Sequence, residues 1–325
     1  MKFFYSHGRT AFKYGLKYLK LKKNDSILIP EYICDVVLEP LKYLKIKPIF
    51  YEIDKNFKCN LENIKKKFDT STKALLIVNY FGFEEDKKKY LNFCKNKSIF
   101  LIEDSCHSLN IKLTDSTKIS DFIFYSPKKI LPEIYSGGIL KINRNDNKNS
   151  IMITNKKLGH YKIDFYQIIN SFLERKFLSL KRYCKYFFFK KPTYDKFNSI
   201  KNIRLSKDLL IDQNSKEFLN KIDLKKVHRL RMKNYNLWKK FCLKNGSIFP
   251  INRNIKTDTI PWLLPAFIKN TKLRKKLFNF GWRNGYVITS WPTLPKNVIN
   301  KKIKKKWNNL ICFNTDRAPT DNVDF

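Results

Sequence analysis

The chain is short of acid: 28 Asp and Glu stand against 67 Lys and Arg in 325 residues, for a formal charge of +39. An excess of that size points to a polyanion partner, either nucleic acid or an anionic membrane surface. Its distribution argues otherwise, because the lysines run from Lys2 to Lys306, mixed with Asn and Ile, and gather in no single patch or stripe. They read as a solvated basic surface, and no specific nucleic-acid partner is expected. Paired cysteines are missing too. Cys34, Cys59, Cys94, Cys106, Cys184, Cys242 and Cys312 make an odd number with no CxxC and no zinc-like Cys/His spacing. That excludes a disulfide framework or zinc module and implies reduced thiols in a cytoplasmic protein. Long apolar runs are absent as well. MKFFYSHGRTAF turns polar before reaching signal-peptide length, and no later stretch is long enough for a transmembrane segment. The run YCKYFFF, 183–189, flanked by Lys181, Arg182, Lys190 and Lys191, reads as a buried contact or dimer surface, with membrane adhesion the minority reading.

What the chain has is core material, 43% hydrophobic and 15% aromatic residues, enough for one large domain or two ordinary ones. Between residues 10 and 140 short apolar runs alternate with helical periodicities, the pattern of an α/β domain around a mostly parallel sheet. SILIP (26–30), KPIFYEI (47–53), ALLIVNY (74–80), SIFLIE (98–103) and 121–125 read as strands. Helices are expected over 35–44, 61–68 and 85–95. Further on, NRNDNKNS reads as a loop, 165–177 as a helix, 190–203 as a polar connection and 216–243 as one long helix. WLLPAFI (262–268) reads as a strand, 271–280 as a helix closed by Gly281, and 282–290 as a strand.

Three segments carry chemistry. SHGRTA (6–11) precedes a helical pattern, so its backbone N–H groups and Arg9 suit a phosphate, while taken alone the segment reads first as an ordinary helix N-cap. EDSCHSL (103–109) follows an apolar strand. Its carboxylate and His107 would hold and flank a protonated heterocycle, or else Asp104 is a cap and His107 a core histidine. SPKKILPEIYSGG (126–138) places two lysines in a strand-to-loop segment; a pocket lysine can condense with an aldehyde cofactor, whereas surface Lys-Lys pairs abound in this chain.

In order and spacing these segments resemble the DegT/StrS family of pyridoxal-phosphate sugar aminotransferases, members of fold-type I. The likeness extends over KKNDSILIPEYICDVVLEPLKYLKIKPIFYEID, ALLIVNYFGF, IEDSCHSL, FYSPKKILPEIYSGG, KIDLKKVHRLRMKNYNLW and the segment from WLLPAFI to SWPTLP. It implies a large domain with a mostly parallel seven-stranded sheet flanked by helices, residues 1–215, and a smaller C-terminal α+β domain, 216–325. It also implies pyridoxal 5'-phosphate as cofactor. Matching Pro127-x-Lys129-x-Leu131 makes Lys129 the Schiff-base lysine and Lys128 a spacer. Asp104 then pairs with the pyridine nitrogen and His107 lies against the ring. Gly8, Arg9, Thr10 and Ser126 bind the phosphate, and Tyr32 of PEYIC stacks on the ring. The same resemblance implies an amino-acid donor, a nucleotide-linked keto sugar and a homodimer, with Arg204 and Ser206 in a segment like the family's interface loop.

Several features depart from the pattern: the chain begins almost at its phosphate segment, His7 looks inserted, and PEIYSGG replaces the usual acidic-Gly-Gly ending. Family dehydratases carry histidine at the lysine position, so Lys129 argues for the aminotransferase branch. A non-catalytic binding or regulatory protein on the same fold is the alternative, and a basic nucleic-acid or membrane-surface binder the more distant one.

Overall fold

The computed structural model describes residues 1–83, 85–113, 118–144, 158–177 and 207–319. Cys184, the YCKYFFF run, the 190–203 connection, Arg204, Ser206 and most of NRNDNKNS lie outside the described residues.

The strands β1 (Lys2–Tyr5), β2 (Ser26–Pro30), β3 (Lys47–Tyr51), β4 (Thr72–Val78), β5 (Phe100–Asp104), β7 (Phe122–Tyr125) and β8 (Gly138–Ile142) form one sheet, in the order β1-β8-β7-β5-β4-β2-β3. β6 (Ser108–Asn110) lies outside it. The pairs β2–β3, β2–β4, β4–β5 and β5–β7 are parallel, and β8 runs antiparallel to both β7 and β1. Helices cover a parallel sheet on both faces, so its central strands are apolar throughout rather than alternating. Ser26–Pro30 is buried at every residue, and Thr72–Val78 at all but Lys73. The mostly parallel seven-stranded sheet expected from the sequence is therefore present. β1 was not legible in MKFFY, an edge strand of four residues whose partner lies more than a hundred residues away.

Helix α1 (Gly8–Tyr18) lies against β7 and β8 and buries nine of its eleven residues. Gly15 sits where a side chain would strike the Phe122 ring at 2.5 Å, so the helix approaches the sheet more closely there than alanine would allow. A second, antiparallel sheet, β12-β13-β11-β9, is built from β9 (Ile248–Pro250), β11 (Leu263–Ile268), β12 (Ile288–Thr289) and β13 (Leu310–Asn314). Helices Leu224–Lys244 and Thr271–Asn284 close a separate core over it, with Trp238, Phe241, Leu277, Phe280 and Phe313 at its centre. β10 (Thr259–Pro261) pairs with β6 and links this C-terminal part to the segment after β5.

The structure corrects three readings. The expected single helix over 216–243 is two, Gln213–Lys221 and Leu224–Lys244, because Asp223 leaves the helical conformation and caps the second by accepting from the Lys225 and Lys226 N–H groups. The helix expected to stop at Gly281 runs to Asn284 and closes on Gly285, which has φ +75°. Gly281 serves instead to let the helix pack, since a Cβ there would lie 2.9 Å from the Tyr286 carbonyl. The 282–290 strand consequently shrinks to Ile288–Thr289. No helix among the described residues is long and apolar enough to cross a membrane.

Candidate active site

Ligands in open α/β sheets collect at the carboxyl ends of the strands, and there β5, β7 and α1 converge on a cavity of about 150 Å³. Gly8, Arg9, Tyr32, Asp104, His107, Ser126 and Lys129, seven of the eight residues singled out from the sequence, line it. Thr10 lines a small neighbouring space with Arg9, Lys13 and Glu39; its buried Oγ1 has no hydrogen-bond partner.

Asp104 closes β5 and is buried. Its Oδ1 accepts from the Cys106 N–H at 2.8 Å, an Asx-type turn that swings the chain away from the sheet. Burial raises its pKa above the ordinary carboxylate value, and the charge of Lys129 opposes that rise. Glu103, one residue earlier, faces the other side of the strand and pairs there with Lys87 and Asn79. That side opens a larger cleft, about 490 Å³, lined by Asn79, Ser105 and Tyr125, which alternate along the chain with the cavity residues Val78, Asp104 and Phe124. The two spaces thus lie on opposite faces of one sheet.

The adjacent lysines after β7 separate cleanly. Pro127–Lys129 is one turn of 3₁₀ helix, with the Lys129 N–H donating to the Ser126 carbonyl. Lys128 is exposed, and its Nζ donates to the Tyr135 carbonyl at 2.5 Å. Lys129 turns inward. Its Nζ stands 4.7 Å from the Trp291 ring centre and 4.9 Å from that of Trp262. The buried Arg231 guanidinium supports this turn from behind, donating to the Ile130 carbonyl, to Thr315 Oγ1 at 3.0 Å and to Asn314 Oδ1 at 3.2 Å.

His107 is buried in a ring cluster of Trp291, Phe81, Tyr80 and Trp262, and burial holds it neutral, its pKa well below the ordinary value. Its Nδ1 has no partner among the described residues. Tyr32 lines the cavity while its ring packs 4.4 Å from Trp307, and its hydroxyl donates to the Trp291 carbonyl.

The amino end of α1 forms the remaining wall. His7 is its N-cap without a side-chain capping bond, and burial together with Arg9 and Lys128 lowers its pKa to about 4. Arg9 is held by Glu39, Nε to Oε2 2.9 Å. A Cβ on Gly8 would approach Cys106 Sγ at 3.1 Å and Ser126 Cβ at 3.4 Å, so glycine lets the start of α1 sit close against these two side chains, where Gly8 and Arg9 line the cavity. Gly138 explains the glycine pair: a Cβ there would lie 2.1 Å from the His7 carbonyl oxygen and 2.6 Å from Gly8 N.

The residues present suit pyridoxal phosphate. They comprise a buried carboxylate that burial alone drives toward its neutral form, a lysine amine on the same cavity, and a glycine-opened helix start with a serine beside it. Cys34, Cys106, Trp262, Trp291 and Arg231 were not picked out from the sequence. Only the buried Arg231 left a trace, a charged residue at a core-facing position of its helix.

The sequence model of the DegT/DnrJ/EryC1/StrS aminotransferase family matches residues 5–167. GDP-perosamine synthase of Escherichia coli O157:H7 is 25% identical over 131 residues, 38% of this chain and 36% of that protein. GDP-4-keto-6-deoxy-D-mannose 3-dehydratase of Yersinia pseudotuberculosis is 30% identical over 95 residues, 29% of this chain and 24% of that protein. The chain thus matches about a third or less of the length of these relatives. Among solved structures, the E. coli GDP-4-keto-6-deoxy-D-mannose-3-dehydratase with bound hydrated PLP superposes with a TM-score of 0.63 at 17% identity, covering 98% of this chain and 84% of that one. NtdA of Bacillus subtilis with bound cofactor PMP gives 0.63 at 14% identity, covering 98% and 70%. At these identities the likeness shows the fold, the fold-type I architecture expected from the sequence.

Proposed function

The chain belongs to the DegT/DnrJ/EryC1/StrS aminotransferase family, and on that premise we propose that it is a pyridoxal-phosphate aminotransferase. Its substrates in this reading are an amino-acid donor, glutamate, and a keto sugar carried on a nucleotide, and its product enters surface-polysaccharide or related glycan synthesis. It works as a cytoplasmic homodimer, with residues 1–215 holding the cofactor and 216–325 forming the smaller domain. The observation that carries the reading is the meeting of Asp104, Lys129 and the amino end of α1 on one cavity. The nucleotide-sugar names of the relatives support the substrate class.

When bound, pyridoxal phosphate supplies an aldehyde for the Lys129 amine and a ring that takes up electrons from the donor's α-carbon. The backbone N–H groups of Gly8 and Arg9 and the Ser126 hydroxyl would bind its phosphate, while Thr10, which faces the neighbouring space, is left out of that set. Asp104 stays ionised opposite the protonated ring nitrogen, and that charge pair offsets the cost of its burial. With the cofactor held there, Lys129 Nζ would be the acid/base that takes up and returns the proton of the donor's α-carbon. His107 and Tyr32 enclose the ring and exclude water.

The test is the visible absorption spectrum of the protein with added pyridoxal phosphate, compared with Lys129→Ala and Lys128→Ala. A band lost only in Lys129→Ala is the expected result. Absence of a band in all three would overturn the cofactor reading and favour a non-catalytic binding protein.

A further inference from the structure

Lys129 sits against the faces of two tryptophans that come from a distant part of the chain. Its Nζ is 4.7 Å from the Trp291 ring centre and 4.9 Å from that of Trp262, inside the roughly 6 Å range over which an ammonium is drawn to an aromatic face. The two indoles stand 5.3 Å apart with their planes at 76°, so they form a corner rather than a stack. Each is fixed by its own backbone to another cavity residue. The Trp262 N–H donates to the His107 carbonyl at 3.2 Å, and the Trp291 carbonyl accepts from the Tyr32 hydroxyl. Next along the chain, the Thr293 carbonyl accepts from the Asp35 N–H at 3.0 Å. Among the described residues no carboxylate or carbonyl accepts a hydrogen bond from Lys129 Nζ; the indole faces are its close contacts, and the charge of Asp104 acts on it from across the cavity.

We propose that Trp262 and Trp291 are positioning residues that form an aromatic seat for the Lys129 ammonium. The seat keeps the amine on the cavity wall whenever it is not joined to the cofactor. The inference rests on the reading of Lys129 as the cofactor lysine and adds what happens to that lysine between its two roles. A released amine on a four-carbon stem is flexible and strongly hydrated, and left alone it would swing to solvent or onto Asp104. Two indole faces offer it electrostatic attraction without a competing proton acceptor. The amine is therefore retained beside the reacting carbon, and the carboxylate stays free for the ring nitrogen. Indole is the strongest of the natural aromatic faces, which accounts for two tryptophans at this corner in place of aliphatic packing.

The test uses the full chain stripped of cofactor and follows acetylation of individual lysines at pH 8 by mass spectrometry, with exposed Lys128 as the internal reference. Trp291→Leu and Trp262→Leu are each expected to raise the Lys129 rate relative to Lys128 about fivefold, because the cation loses a stabilising face. Trp→Phe at either position keeps a weaker face and stays within about twofold. A ratio unchanged in the Leu variants overturns the proposal, and so does a rise as large in the Phe variants, which marks simple loss of cover. Should the Leu variants fail to fold, Lys129→Met decides. It removes the ammonium, keeps the stem, and is expected to raise emission from indoles that a nearby ammonium quenches; unchanged emission overturns the proposal. Neither readout needs pyridoxal phosphate, so failure of the seat and failure of the cofactor reading are told apart.

Discussion

Gly138→Ala places a methyl group 2.1 Å from the His7 carbonyl oxygen, 2.2 Å from the His7 carbonyl carbon and 2.6 Å from Gly8 N. All three are backbone atoms, so no rotamer change relieves the clash. β8 and the start of α1 must separate by about 1 Å to restore ordinary contact. That movement strains the Gly137 N–H bond to the Ser6 carbonyl, 2.7 Å, and the pairing of Tyr5 with Gly138. Overpacking of this kind costs about 1–3 kcal/mol and a weakened backbone hydrogen bond about 1 more. Gly138 does not occupy the left-handed region, so alanine stiffens the unfolded chain and returns about 0.5–1 kcal/mol. The net expectation is a loss of about 1–3.5 kcal/mol, read as a lower urea midpoint at unchanged slope. Gly159→Ala is the control: its nearest neighbour would be Leu209 Cδ2 at 3.8 Å, and its effect should stay within about 0.5 kcal/mol. A Gly138→Ala midpoint equal to that of Gly159→Ala would refute the close approach of β8 to α1, and with it the argument for the glycine pair.

Other expectations concern the cavity and its supports. Asp104→Asn should slow amino transfer at least about a hundredfold, the scale on which one electrostatic partner matters in an enclosed site, in single-turnover absorbance measurements. Lys129→Ala should cost about a hundredfold to ten-thousandfold in the same assay, while Lys128→Ala should stay close to wild type. Arg231→Met leaves the Ile130 carbonyl without its guanidinium donor, removes a buried cation bonded to Asn314 and Thr315, and should lower unfolding free energy by about 3 kcal/mol in thermal or urea melts. His7, ordinarily near 6.5, titrates near 4 in the fold, and His107 lies well below its ordinary value. Both are held neutral, so the unfolded chain binds more protons in acid, and the stability they contribute is lost as pH falls from about 6.5 toward 4. The double variant His7→Gln, His107→Gln should show a flatter acid limb in urea melts across that window; an identical limb would contradict the burial argument.

The parallel core was legible because strands buried on both faces leave apolar runs that nothing interrupts, as in SILIP and ALLIVNY, and the seven-residue agreement at the cavity followed from segment order. Ranges failed where one residue type serves two purposes. Helical periodicity continues across Ile222 and Asp223, and only the capping bonds of Asp223 reveal the break. Gly281 has the composition of a helix stop but is a packing glycine, while Gly285 four residues later performs the stop. His107 illustrates the limit at the site. EDSCHSL places it beside Asp104, but its burial among Phe81, Trp262 and Trp291 depends on segments far apart in the chain. Trp262 and Trp291 stand in the segment from WLLPAFI to SWPTLP, but their contact with Lys129 was illegible for the same reason: it is made by the fold, not by spacing.

The central claim is that Lys129 and Asp104 serve transfer of an amino group to a nucleotide-linked keto sugar. Its most direct test is incubation of the cofactor-loaded protein with glutamate carrying heavy nitrogen in its amino group and a GDP-linked 4-keto-6-deoxy sugar, followed by mass spectrometry of the sugar nucleotide. The account predicts an amino sugar nucleotide that carries the heavy nitrogen, formed by wild type and Lys128→Ala and absent with Lys129→Ala. A sugar returned deoxygenated without nitrogen, or nitrogen transfer that survives Lys129→Ala, would contradict it.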